Sequence, residues 1–76
     1  MKWDQELDAA GLLCPLPVLK ARKRLQSMKA GQVLRLVATD PAAVVDVPFF
    51  CQESGHSLLA TADEGETQVY YLRHKD

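Results

Sequence analysis

The spacing of apolar positions changes along the chain, and each change marks an element. Asp4 to Ala9 alternates weakly and runs into Ala10-Gly11, which predicts a short first strand. From Pro15 to Lys29 the period lengthens: Val18, Ala21, Leu25 and Met28 fall at i, i+3, i+7 and i+10, one narrow apolar stripe of a helix. Pro15 suits the first helical position, where a missing N–H costs nothing. Lys29-Ala30-Gly31 supplies a cationic last turn and a glycine stop. Gln32 to Ala38 is rich in strand formers, with Leu34 and Leu36 on one face.

Asp40-Pro41 reads as a second helix start, with Asp40 as its N-cap. The helix covers Ala42 to Ser54, but Pro48 sits inside it. An internal proline breaks or kinks a helix, so an irregular first turn and a regular helix from about Val47 are expected. Gly55 ends it. Ser57 to Ala62 and Thr67 to His74 read as a hairpin across Asp63-Glu64-Gly65-Glu66. The order β-α-β-α-β-β implies an α/β two-layer sandwich, a mixed four-stranded sheet with two helices on one face. Its first crossover should be right-handed and leave its strands parallel. With no repeat, linker or low-complexity tract, residues 1–76 read as a single domain.

Composition narrows what such a domain does. A chain of 76 residues, 47% hydrophobic and 25% charged, buries about 60% of the surface its unfolded form exposes. One core is within reach; a deep cleft around a large cofactor, a full dinucleotide-binding fold or a triad enzyme with its own pocket is not. The net charge of −1 gives no gross basic footprint for nucleic acid or membrane. No cofactor is expected, and a monomer is.

Two cysteines, Cys14 and Cys51, are too few for a secreted disulfide scaffold. The N-terminus is acidic and lacks the apolar run of a signal peptide. The longest uncharged stretch, Ala9 to Leu19, carries two prolines and falls short of the roughly 20 apolar residues of a membrane span. Gly11-Leu12-Leu13-Cys14 superficially matches a lipoprotein cleavage site, but the basic n-region is missing. These features together indicate a cytoplasmic protein with reduced thiols. Cys51 and His56 are spaced C-x4-H, yet no C-x-x-C or H-x-x-x-H supports metal ligation by them with Cys14 or His74. Cys51, following Phe49-Phe50, reads as a packed core thiol, with a role as a resolving or second reactive thiol as the minor alternative. His56 is expected at a helix C-terminus, meeting exposed carbonyls. Asp8 reads as a turn former, and Trp3 has no assigned chemistry.

The chemistry concentrates at Cys14-Pro15-Leu16-Pro17, where a strand and its Gly11 turn feed the first helix. At or near the N-cap, Cys14 meets a dipole worth roughly half a positive charge, which favours thiolate. Pro15 and Pro17 have no N–H, so the N-cap bond can come only from Leu16. With long-range help from Lys20 and Arg24, the thiol pKa is expected below the free value of about 8.5. The prolines fix φ at two positions and present the sulfur in one pose. A rigid exposed thiol suits transfer between proteins. The plainer alternative is a small buried thiol beside prolines that only punctuate a helix.

Charge is unevenly spread. Residues 1–38 hold seven basic and three acidic groups, residues 39–76 two and seven. Leu16, Lys20, Lys23 and Ser27 form a stripe opposite the apolar one. Leu16 with Lys20, Lys23 and Arg24 therefore makes a candidate partner-docking footprint at the head of a basic ridge; a merely solvated face is the alternative. No aromatics interleave with this ridge, so direct nucleic-acid binding is not expected.

In this register the chain resembles the TusA/SirA family of small sulfur-carrier proteins. The resemblance runs from about Glu6 to Lys75 and includes Leu7-Asp8, Gly11-Leu12, Cys14-Pro15-Leu16-Pro17, Gly31, Asp40-Pro41, Asp46-Val47-Pro48, Phe50-Cys51 and Gly55-His56. The last two pairs are most similar to the TusA branch. The family implies a β-α-β-α-β-β sandwich and a persulfide carried on the motif cysteine, here Cys14. It further implies a cysteine desulfurase or other persulfide donor and an acceptor sulfur-relay protein. tRNA 2-thiouridine synthesis is the leading destination, with sulfur oxidation and molybdenum-enzyme maturation as other branches. Members serving tRNA thiolation often have an acidic residue between the prolines, where this chain has Leu16. A function from another class, a small regulatory module binding a partner through the basic first helix with an incidental thiol, is the competing reading.

Overall fold

A computed structural model describes all residues, Met1–Asp76. Its elements follow in the order β1 (Gln5–Ala9), α1 (Leu16–Gln26), β2 (Val33–Ala38), α2 (Ala43–Ser54), β3 (Ser57–Glu64) and β4 (Thr67–Arg73). The four strands form one sheet in the order β1-β2-β4-β3. β1 and β2 are parallel, and the other two pairs are antiparallel. This is the mixed α/β sheet that the alternating pattern predicts.

Strand alternation decides which side of the sheet receives the helices. The register sets Leu7, Leu36 and Tyr70 in one row and Leu34, Leu72 and Leu58 in the next. Ala21 and Leu25 of α1 and Ala43, Val47 and Cys51 of α2 close over these rows in a single core. Both helices therefore lie on one face. Ala9 and Ala38 are paired and fully buried at the C-terminal ends of the parallel strands. Their small side chains leave room for the two loops that start the helices. On the other face Glu6, Arg35 and Tyr71 share a row. Arg35 pairs with Glu6 at 2.5 Å, donates to the Tyr71 hydroxyl at 3.3 Å, and lies over the Trp3 ring at 5.0 Å. Trp3 thus has a structural place, partly covering the face that no helix covers.

Several element ends differ from the sequence expectation. α1 stops at Gln26, not Lys29, because Ser27 and Met28 make tight i→i−3 bonds to Arg24 and Leu25, and the Ser27 hydroxyl takes the Arg24 carbonyl. Met28 still reaches the core. α1 also starts one residue late, since the Leu16 N–H closes a turn onto the Leu13 carbonyl. Pro15 is consequently the N-cap and Pro17 a buried residue of the first turn. The Cys14–Pro15 peptide is cis. α2 is a continuous helix from Ala43, so Pro48 does not delay it. The irregular first turn is present, since Ala43, Val44 and Val45 donate to carbonyls three residues back, a 3₁₀-type start. The hairpin is tighter than expected, with Glu64 paired to Thr67. Gly65, at φ +80°, adopts the left-handed conformation that a two-residue connection requires.

Leu36 is fully buried at the centre of the core. Truncating it to Ala should cost about 3 kcal/mol, combining lost transfer energy with an unfilled cavity. Urea denaturation should show a lowered midpoint with an unchanged slope; a midpoint equal to wild type would contradict this packing.

Candidate functional site

Two loops meet where the C-terminal ends of β1 and β2 release the chain into α1 and α2. Gly11, at φ +82°, turns the chain sharply out of β1, and its N–H donates to the Thr39 hydroxyl at 2.8 Å. The neighbouring Asp40 carboxylate uses both oxygens. One accepts the Cys14 N–H at 2.5 Å, the other the Ala42 N–H at 3.1 Å. Asp40 is not the N-cap expected of it: Ala42 holds that position without a side-chain cap bond, and Asp40 closes a turn onto Ala42 just ahead of α2. The same side chain also ties down the cysteine loop, which no local signal in the sequence shows.

Cys14 is exposed, so the reading of a buried structural thiol does not hold for it. It lies at the end of a shallow open depression of about 290 Å³ with Pro15 and Val18 of α1 and Asp46, Phe49, Phe50 and Glu53 of α2. The expected thiolate environment is not what surrounds it. The single N–H assigned to cap the sulfur, that of Leu16, is spent on the Leu13 carbonyl. Asp46 instead accepts a hydrogen bond from the thiol and raises its pKa above the ordinary value, reinforced by slight desolvation and by the negative charges of Asp46 and Asp40. The sulfur rests as a protonated thiol facing carboxylates, contrary to the lowered pKa expected from the helix dipole. Those carboxylates come from α2 and from the loop before it, distant in sequence.

Large apolar side chains are exposed near the thiol: Leu13 and Leu16 flank Cys14-Pro15 in the chain, Phe49 lines the same depression, and Val45 precedes Asp46 on α2. Leu13, Leu16, Val45 and Phe49 are 69%, 45%, 70% and 59% exposed. Leu16 is exposed as its helical position predicts. Leu13, Val45 and Phe49 escaped sequence reading because an apolar residue in or beside a helix looks like core. For Val45 and Phe49 the signal is the double occupancy of α2, in which Val44-Val45 and Phe49-Phe50 give more apolar positions than one buried face holds. Lys20 and Lys23 are exposed on the outer face of α1. Arg24 is not free on that ridge. Its guanidinium donates to the Gln5 side chain at 3.3 Å and the Glu6 carbonyl at 3.1 Å, fastening α1 to β1.

Cys51 is buried among core residues, and burial pushes its thiol pKa up to about 11. His56 does not cap the helix carbonyls. Its Nδ1 accepts the Lys75 N–H at 3.0 Å, while the Lys75 ammonium takes the Ser54 carbonyl at 2.9 Å. Burial and the nearby charges of His74 and Lys75 lower the His56 pKa. Asp8 accepts the Ala10 N–H at 3.0 Å, the turn its sequence position implies.

Comparison with known proteins gives this geometry a family context. Residues 5–74 match the family model for sulfurtransferase TusA. The chain is 51% identical over 63 residues to the sulfur carrier protein TusA of Allochromatium vinosum, covering 83% of each chain. It is 44% identical over 72 residues to that of Pseudomonas entomophila, covering 95% of this chain and 90% of the relative. The crystal structure of a SirA-like protein from Desulfitobacterium hafniense superposes with a TM-score of 0.81 and 19% identity, over 96% of this chain and all of the other. At that identity the superposition speaks to the fold, which the two share.

Replacing Asp46 with Asn removes the acceptor charge facing the sulfur. The thiolate should then form at lower pH. The pH midpoint of iodoacetamide alkylation at Cys14 should fall in Asp46→Asn, with faster reaction at neutral pH. A midpoint that is unchanged or higher would show that Asp46 does not hold the proton.

Proposed function

The chain belongs to the TusA family of sulfurtransferases; from that membership we propose that it is a sulfur carrier whose Cys14 holds the sulfur as a persulfide. The observation that carries this reading is the exposure of the motif thiol inside an apolar collar, on a domain whose other thiol is buried. A sulfur handed from protein to protein needs an accessible carrier atom and a surface on which a partner can exclude water. Cys14 with its neighbours Leu13 and Leu16 and with Phe49 in its depression supplies both.

The exchange conserves electrons. The Cys14 sulfur attacks the outer sulfur of a donor persulfide, a new S–S bond forms, and the donor thiolate leaves with its electron pair and takes up the proton Cys14 gives up. An acceptor thiolate then attacks the outer sulfur of Cys14–S–SH, and the Cys14 thiolate leaves. Gly11 and Asp40 position the loop, while Pro15 and Pro17 stiffen its continuation into α1. The raised pKa favours the thiol form of the free carrier. A cation brought by a donor near Asp46 would favour the thiolate where it is needed.

A cysteine desulfurase fits as donor and a relay protein as acceptor, in the cytoplasm. tRNA 2-thiouridine synthesis is the leading destination, and sulfur oxidation or molybdenum-enzyme maturation are the alternatives. No helix is long and apolar enough to cross a membrane. Incubation with a cysteine desulfurase and cysteine should add the mass of one sulfur atom to the chain. Cys14→Ser should reduce this adduct to background, and Cys51→Ser should leave it intact. Loading that survives in Cys14→Ser and disappears in Cys51→Ser would reverse the assignment.

A further inference from the structure

The depression at Cys14 continues into a second one. Residues on one stripe of α1, Pro15, Val18, Arg22 and Gln26, face residues on one stripe of α2, Asp46, Phe50, Glu53 and Ser54. Phe50 and Glu53 line both depressions, so together they make one crease between the helices. The far part, about 490 Å³, is closed by His56, His74 and Lys75.

The two ends of the crease carry opposite charge. Asp46 stands beside the thiol. Arg22 and Lys75 stand at the other end, beside two imidazoles whose centroids are 4.8 Å apart. The ion pairs of the molecule lie elsewhere, between Arg35 and Glu6 and between Arg73 and Asp76. Lys75 spends one ammonium proton on the Ser54 carbonyl, and the His56 Nδ1 is occupied by the Lys75 N–H. The neutral His56 ring therefore carries its remaining proton on Nε2. Between the charged ends Val18, Phe49 and Phe50 form apolar walls; Glu53 lines both parts, and at the far end the two cations Arg22 and Lys75 outnumber it. At the helical rise of 1.5 Å per residue, Arg22 and Gln26 lie about 10–16 Å along α1 from Pro15. An extended chain covers that distance in about three to five residues.

We infer that this crease receives an extended partner segment with a cation beside its exchanging cysteine, an apolar residue midway, and an acid about four residues beyond the cysteine. The occupant follows from charge complementarity at both ends and from the apolar walls between. This rests on the carrier reading for its purpose, since such a segment is what a donor or acceptor would insert. Its test does not depend on a persulfide.

Two capped hexapeptides of one composition, Lys-Cys-Gly-Leu-Gly-Glu and Glu-Cys-Gly-Leu-Gly-Lys, serve as probes with the cysteine activated as a 2-pyridyl disulfide. The Cys14 sulfur attacks the peptide sulfur, a mixed disulfide forms, and the pyridine-2-thiolate leaves with the electron pair and takes up the proton Cys14 gives up, as thiopyridone. Cys14→Ser serves as the blank. At low salt the lysine-first peptide should react about tenfold faster than its charge-swapped twin, and the gap should shrink at high salt as the charges are screened. Arg22→Glu, at an exposed position, should narrow the gap, and adding Lys75→Glu should close it. Reaction with the small neutral reagent 2,2′-dithiodipyridine should be unchanged, which also checks that the variants are folded. Equal rates for the two peptides at low salt, or a gap that persists in Arg22→Glu with Lys75→Glu, would overturn the inference. Because the readout is disulfide exchange, either result stands apart from persulfide loading.

Discussion

One carboxylate holds the functional end of this molecule together. Asp40 bonds the Cys14 N–H with one oxygen and the Ala42 N–H with the other, and its own carbonyl accepts the Gln68 side chain at 3.1 Å. Two loops that leave parallel neighbouring strands are thereby fixed to each other and to β4. The Gly11 bond to Thr39 repeats the connection one step closer to the sheet. Without these ties, the cysteine loop would have only local turn bonds, such as Leu12 N–H to the Ala9 carbonyl and Leu16 N–H to the Leu13 carbonyl, to define its shape. The rigidity that transfer between proteins requires therefore comes from pairing loops as much as from prolines.

The same arrangement sets the chemistry of the sulfur. Joining the starts of α1 and α2 brings the thiol toward Asp46 and Asp40, and the Asp46 hydrogen bond, with slight desolvation and the two negative charges behind it, raises the thiol pKa; the prolines meanwhile reduce the free N–H groups of the helix end. A protonated thiol reacts slowly with oxidants and stray electrophiles, since the thiolate is the reactive form. In a carrier that waits between partners this is an advantage. The apolar collar compensates by letting a partner exclude water and bring its own charge to the site.

The division of labour between the helices follows from their packing. α1 and α2 cover one face of a small sheet and meet along a crease, and the sheet is too narrow to bury every apolar residue they carry. Leu13, Leu16, Val45 and Phe49 are left in solvent, Leu13 and Leu16 beside Cys14-Pro15 in the chain and Phe49 lining its depression. The far end of the crease gathers Arg22, Lys75, His56 and His74. Open depressions of this kind are what a 76-residue chain can form where an enclosed cavity would cost it the core.

By itself the sequence determined the element order, the parallel first pair, the placement of the helices on one face, and the cysteine on which the chemistry turns. Those follow from periodicity, from glycine and proline stereochemistry, and from the motif around Cys14, all of which act over a few residues. Local competition at the ends was less legible, as at Ser27, where a hydroxyl takes a carbonyl the helix would have used. Only the tertiary structure decided the protonation of Cys14, the commitment of Arg24 to β1, the place of Phe49 in the Cys14 depression, and the charge polarity of the crease. Each of these joins residues about twenty to fifty positions apart along the chain, brought together by the parallel pairing of β1 and β2 and the return of β4 between β2 and β3. Electrostatic and packing energies depend on distance in space, and a pattern along one dimension does not encode that distance until the sheet has fixed it.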